Sequence, residues 1–148
     1  MTMNLGKISF QLAQRYLVAL WVGSFACVMA TVALTYLLDW IGATTAIASA
    51  QSVSKLYAPY VGAVVAYGFA ARRRTRQDRS RGPVGLALLG TVLWNLPILV
   101  LFMRHLSPVS CEPGQNCIQD TLPVAVAWGE YCGVAVAPTL GYYFGKQV

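Results

Sequence analysis

The chain has 148 residues, of which 57% are hydrophobic and only 11% charged, with a formal net charge of +6 and a mean hydropathy of +0.55. Soluble domains carry about 25% charged residues, so this composition excludes a soluble enzyme, a secreted disulfide mini-protein and a nucleic-acid-binding domain. The length allows one domain, and its charges cluster between long uncharged runs, which is the pattern of an integral membrane protein.

A helix rises about 1.5 Å per residue, so crossing roughly 30 Å of hydrocarbon takes about 20 mostly apolar residues. Four stretches meet this requirement, at residues 16–38, 52–71, 83–103 and 122–144. The first carries no charge, and the fourth carries one, Glu130. The second is uncharged only from Leu56 to Ala71, about 24 Å of helix. It therefore needs the turn from Ser52 to Lys55, with Lys55 snorkelling to the surface. Because the bilayer core offers no water to the backbone, spans of this length must be helices. The expected fold is an all-α integral membrane protein, one domain over residues 1–148, with four transmembrane helices arranged as two tandem helical hairpins. Residues 39–51 and 104–121 are the expected outer loops, and residues 72–82 a basic cytoplasmic loop.

Orientation follows from the basic residues. With the N terminus inside, nine of them are cytoplasmic (Lys7, Arg15, Arg72, Arg73, Arg74, Arg76, Arg79, Arg81 and Lys146) and two, Lys55 and Arg104, are outside. Both termini are thus expected in the cytoplasm and the chain in a plasma membrane of the bacterial inner-membrane type. A cleavable signal peptide ending near Ala48-Ser49-Ala50 is the competing reading of the first span, but that apolar segment is too long and the site too far downstream. Ala66-Tyr67-Gly68-Phe69-Ala70 also lines up with Gly141-Tyr142-Tyr143-Phe144-Gly145 at the inner ends of the second and fourth spans, as a parallel duplication of one hairpin would. Aromatic clustering at membrane interfaces gives the same pattern without duplication.

Helices meet in lipid through small residues and a few polar contacts. In the fourth span Ala125, Gly129, Gly133, Ala137, Gly141 and Gly145 recur every four residues, a stripe that drifts about 40° per step. Ala58, Gly62, Ala66 and Ala70 repeat the device in the second span, and Ala19, Gly23, Cys27, Thr31 and Thr35 in the first. Three such stripes exceed the needs of one four-helix bundle, so at least one is expected to face another subunit of a homo-oligomer. The third span, rich in Leu, Val and Ile, is expected to face lipid.

Glu130 is the ionisable residue deepest in a span, where a charge costs at least about 2.5–3.5 kcal/mol on insertion scales. Counted from the outer ends, Asn95 lies at a similar depth. The expectation is an intramembrane polar pair, with Glu130 turned towards protein and bonded to Asn95 or a nearby tyrosine. Pro97 and Pro138 free the carbonyls of Leu93 and Val134 and are expected to kink their spans, and Pro59 lies near the outer start of the second.

Cys111 and Cys117 bracket Glu-Pro-Gly-Gln-Asn in the second outer loop, and the Pro-Gly turn brings them together. Outside the cytoplasm they are expected to form a disulfide. They form no Cys-x-x-Cys redox pair, and with His105 alone beside them they lack the ligand set of a zinc site. Cys27 and Cys132 read as packing residues. Six arginines in ten residues (Arg72, Arg73, Arg74, Arg76, Arg79 and Arg81) set topology, attract anionic lipid headgroups and offer bidentate partners to an acidic soluble protein. The loop has no aromatic residues on which nucleic-acid bases would stack.

No nucleophile-base pair, metal cluster, phosphate-binding loop or cofactor motif is present, so neither an enzyme nor a cofactor is expected. The functional expectation is an oligomeric membrane subunit acting as a sensor or as an anchor for a soluble cytoplasmic partner, as in a bacterial stress or defence system. The alternative is a small ion or proton channel or transporter using Glu130 and Asn95.

Overall fold

A computed structural model describes residues 10–71, 81–106 and 117–145. They form four α-helices and no strand: α1 (Phe10–Leu37), α2 (Ala43–Ala71), α3 (Arg81–Met103) and α4 (Cys117–Gly145), with one 3-10 turn, Arg104–Leu106, after α3. α1 packs on α2 and α3, and α4 packs on α3 and α2, so the order around the bundle is α1, α2, α4, α3. Each helix is a neighbour of its hairpin mate. The helices run unbroken through Pro59, Pro97, Pro123 and Pro138.

Each helix turns one stripe inward at the spacing a 3.6-residue repeat requires. On α1 the buried stripe is Ala13, Leu17, Trp21, Ser24, Val28, Thr31 and Thr35; on α3 it is Ala87, Thr91, Trp94, Asn95, Ile98 and Phe102. The core is mostly hydrophobic but also takes in polar side chains, and large apolar side chains line the exterior. Thr31, Thr35, Ser49, Thr91 and Asn95 are buried, while Leu86, Leu89, Leu93, Leu96 and Val100 of α3 face outward. The inward hydroxyls do not sacrifice hydrogen bonds, because they return to their own helix: Thr31 donates to the Cys27 carbonyl (3.0 Å) and Thr35 to that of Thr31 (3.0 Å). α1 and α3 are each long and apolar enough to cross a membrane, over Leu12–Leu37 and Gly85–Met103.

The helices begin earlier than hydropathy indicates. Residues 43–51, expected in an outer loop, are the first turns of α2, and residues 117–121 open α4. Thr44, Thr45, Ser49 and Gln51 depress the apolarity of this stretch, yet Thr45 and Ser49 lie on its buried face. The Gln119 side-chain amide donates to the Thr45 hydroxyl at 3.3 Å, tying the start of α4 to the start of α2. What remains of the connection between α1 and α2 is a tight turn. The Trp40 N–H reaches back to the Thr35 carbonyl and the Asp39 N–H to that of Tyr36, both at 3.0 Å, closing α1 with the paired bonds of a Schellman motif. Asp39 occupies the left-handed position, with φ of 57°.

A β-branched side chain tolerates that φ poorly. Asp39→Val is expected to cost about 1–2 kcal/mol, read as a lower midpoint in a thermal or denaturant melt of the purified protein, whereas Asp39→Gly leaves the midpoint unchanged or raises it.

Candidate functional site

The bundle axis is filled by aromatic rings. Trp21 of α1 stacks on Tyr60 of α2 at 4.7 Å between ring centres, and Trp94 of α3 lies 4.7 Å from Trp21 and meets Tyr57 edge-on at 4.9 Å. The indole N–H groups of both tryptophans are used. Trp21 donates to the Thr91 hydroxyl (3.2 Å), which in turn donates to the Ala87 carbonyl (2.8 Å). Trp94 donates to the Gly129 carbonyl of α4 at 2.9 Å. A polar ring edge bonded across helices is the arrangement that lets tryptophan serve as core.

Glycine makes the approach of α4 feasible. A Cβ on Gly129 would come within 2.5 Å of Leu56 Cδ1 and 3.2 Å of Trp94, and one on Gly133 would collide with the Tyr60 hydroxyl. Leu56 and Tyr60 of α2 therefore sit in notches of α4. Beside this seam runs an open cleft of about 370 Å³ lined by Ser52, Lys55, Leu56, Pro59, Tyr60, Val126, Gly129 and Glu130. It brings one cationic and one anionic side chain to the same flank of the molecule. Both are exposed, and no ion pair joins them among the described residues.

The position of Glu130 differs from the sequence expectation. The bond from Trp94 to Gly129 does set Asn95 and Glu130 at the same level, but their side chains diverge. Asn95 is buried, its amide donates to the Thr91 carbonyl at 2.8 Å, and its own carbonyl oxygen has no hydrogen-bond partner; the buried Tyr57 hydroxyl also lacks one. Glu130 opens on the cleft. The drift of the stripe explains this: Ala125, Gly129 and Gly133 are buried, but Ala137 and Gly141 have rotated to the outside, and Glu130 shares their side of α4. The Gly145 side of the helix end is not described. Ala58, Gly62 and Ala66 of α2 and Ala19, Gly23 and Cys27 of α1 are likewise exposed, whereas Thr31 and Thr35 are buried.

Arg72, Arg73, Arg74, Arg76, Arg79 and Cys111 lie outside the described residues; Arg81 opens α3 and Cys117 opens α4, their side chains undescribed. No disulfide is seen among the described residues, where Cys27 and Cys132 are free. No group of three His, Cys, Asp or Glu side chains gathers there to hold a metal ion. Sequence reasoning missed the aromatic cluster and the cleft that brings Ser52 and Lys55 beside Glu130. Trp21, Tyr57, Tyr60 and Trp94 lie far from the ends of their helices rather than in an interfacial belt, and that spacing was the available signal. α2 starts at Ala43 rather than at residue 52, so Lys55 lies in the body of the helix, where it is exposed.

No protein-family model, characterised protein or solved structure matches this chain.

Overpacking a helix seam costs about 1–3 kcal/mol, so Gly129→Ala should lower the melting midpoint of the detergent-solubilised protein clearly. Gly23→Ala, where a Cβ meets nothing within 4 Å, should not lower it.

Proposed function

We propose that the chain is a non-enzymatic, multi-pass membrane subunit that assembles with copies of itself and acts as a sensor or membrane anchor for a soluble cytoplasmic partner. In this reading all four helices cross the bilayer with both termini in the cytoplasm. The observation that carries it is the apolar exterior of the bundle: Leu34, Leu37, Leu86, Leu89, Leu93, Leu96, Val100 and Val134 face out around a core that is itself mostly hydrophobic. A soluble bundle gains its stability by withdrawing such side chains from its surface. The helices have 28, 29, 23 and 29 residues, about 35–43 Å at 1.5 Å per residue, enough for a hydrocarbon core of roughly 30 Å. α2 and α4, less apolar than their neighbours, pack directly on α1 and α3 and so share their depth.

The basic segment from Arg72 to Arg81 then lies at the cytoplasmic surface. Anionic lipid supplies a diffuse attraction there, and an acidic protein partner adds bidentate contacts to guanidinium groups. On the opposite side, a Cys111–Cys117 disulfide would close the connection before α4. A channel or transporter would need Asn95 and Glu130 on one path. Aromatic rings occupy the axis beside Asn95, and Glu130 opens on the flank, so the subunit reading is preferred.

Exchanging the six loop arginines for lysine preserves charge, and with it topology and lipid attraction, but removes bidentate pairing. The soluble partner co-purified in nanodiscs is expected to fall at least tenfold, with helix content and melting midpoint unchanged. Undiminished co-purification would reduce the loop to a topological element.

A further inference from the structure

Lys55 lies twelve residues past the start of α2 at Ala43, and Glu130 thirteen past the start of α4 at Cys117. At about 1.5 Å per residue both sit some 18–20 Å below the outer helix ends, well inside the bilayer in the spanning reading on which this inference rests. They line one cleft, both are exposed, and neither is paired with the other among the described residues. Two unpaired ionisable side chains on a lipid-facing flank are among the most unfavourable features a membrane helix can carry. The flank therefore needs a cover that brings one negative and one positive group at this same depth.

We propose that the cover is a second copy of this chain, docked by its own α2–α4 flank, so that Lys55 of each protomer pairs with the carboxylate of Glu130 in the other. Two-fold symmetry makes such a surface its own complement. Protomers that share one topology are related by an axis along the membrane normal, which preserves depth. A reciprocal pair thus requires its two residues to be level, and these are. Backbone approach is open as well: Ala58 beside Pro59 is exposed, and a Cβ on Gly62 would meet nothing within 4 Å. Leu56 and Tyr60, seated in the glycine notches of α4, join the two walls of the cleft.

Charge reversal separates this arrangement from an ion pair within one chain. Lys55→Glu alone sets carboxylate against carboxylate twice across the axis, and Glu130→Lys sets ammonium against ammonium twice. In a mixed pair, both contacts become complementary again. The two variants, carrying different affinity tags, are expressed separately and together, reconstituted in nanodiscs and read by tag-to-tag capture and native mass. The wild type should be dimeric, each reversal alone should associate at least tenfold more weakly, and the co-expressed reversals should recover capture between tags. Co-expressed reversals that remain monomeric, single reversals that dimerise like the wild type, or a monomeric wild type would each overturn the proposal. Should a reversed chain fail to insert alone, Lys55→Gln and Glu130→Gln give the same reading: about tenfold weaker association supports it, and unchanged association in both overturns it. Alkaline washing of the source membranes separates the two levels of the account. A chain that is retained but unpaired overturns this interface alone, whereas a chain that is released overturns the spanning reading beneath it.

Discussion

The hydrogen bond from the Trp94 indole to the Gly129 carbonyl is the constraint on which the rest of the bundle is built. It requires a helix without a Cβ at the point of contact, and the notch that results also admits Leu56 from α2. α3, α4 and α2 are thereby fixed at one level. Trp21 then completes the square by lying against Trp94 and stacking on Tyr60, with its own N–H held by Thr91. In the bilayer proposed for this bundle, where apolar surfaces have little reason to associate, close packing and polar contacts of this kind would be what specifies the fold.

The same constraint decides what is left outside. Once Gly129 and Gly133 turn towards α2, the neighbouring Glu130 is committed to the edge of the seam, and Lys55 arrives beside it from the other helix. A charged flank is thus a consequence of how the core is locked. In the proposed spanning arrangement, its cost in the membrane would give the molecule a physical reason to associate. This reason does not depend on the exposed alanines and glycines, which permit close approach without demanding it.

The helical fold was legible in the sequence because long uncharged runs leave helix as the way to satisfy the backbone in an apolar setting, and the short connections pair the helices into hairpins. The small-residue stripes were a poorer guide, since most of their positions on α1 and α2 are exposed. The start of α2 was not, since Thr45 and Ser49 count as polar in any window while lying on the buried face of a helix. Glu130 was misread for a related reason. A stripe repeating every four residues does not stay on one face, and the rotation that hides Gly129 brings Ala137 out. Asn95 was read as a candidate partner at the depth of Glu130, but it is buried and its amide bonds the carbonyl four residues back, at Thr91, which needs no partner from another helix. The aromatic cluster was legible only in part: the mid-helix positions of Trp21, Tyr57, Tyr60 and Trp94 set them apart from an interfacial belt, but which rings meet required three-dimensional information.

The central claim is that α2 and α4, despite Lys55 and Glu130, lie in the bilayer beside α1 and α3. A nitroxide scan along α2 and α4 in nanodiscs, comparing collision with oxygen and with a water-soluble nickel chelate, tests it directly. The account predicts low nickel access through the middle turns of both helices, with oxygen access highest there at positions facing lipid. Nickel access recurring with helical period through the middle of either helix would place that helix in water and contradict the account.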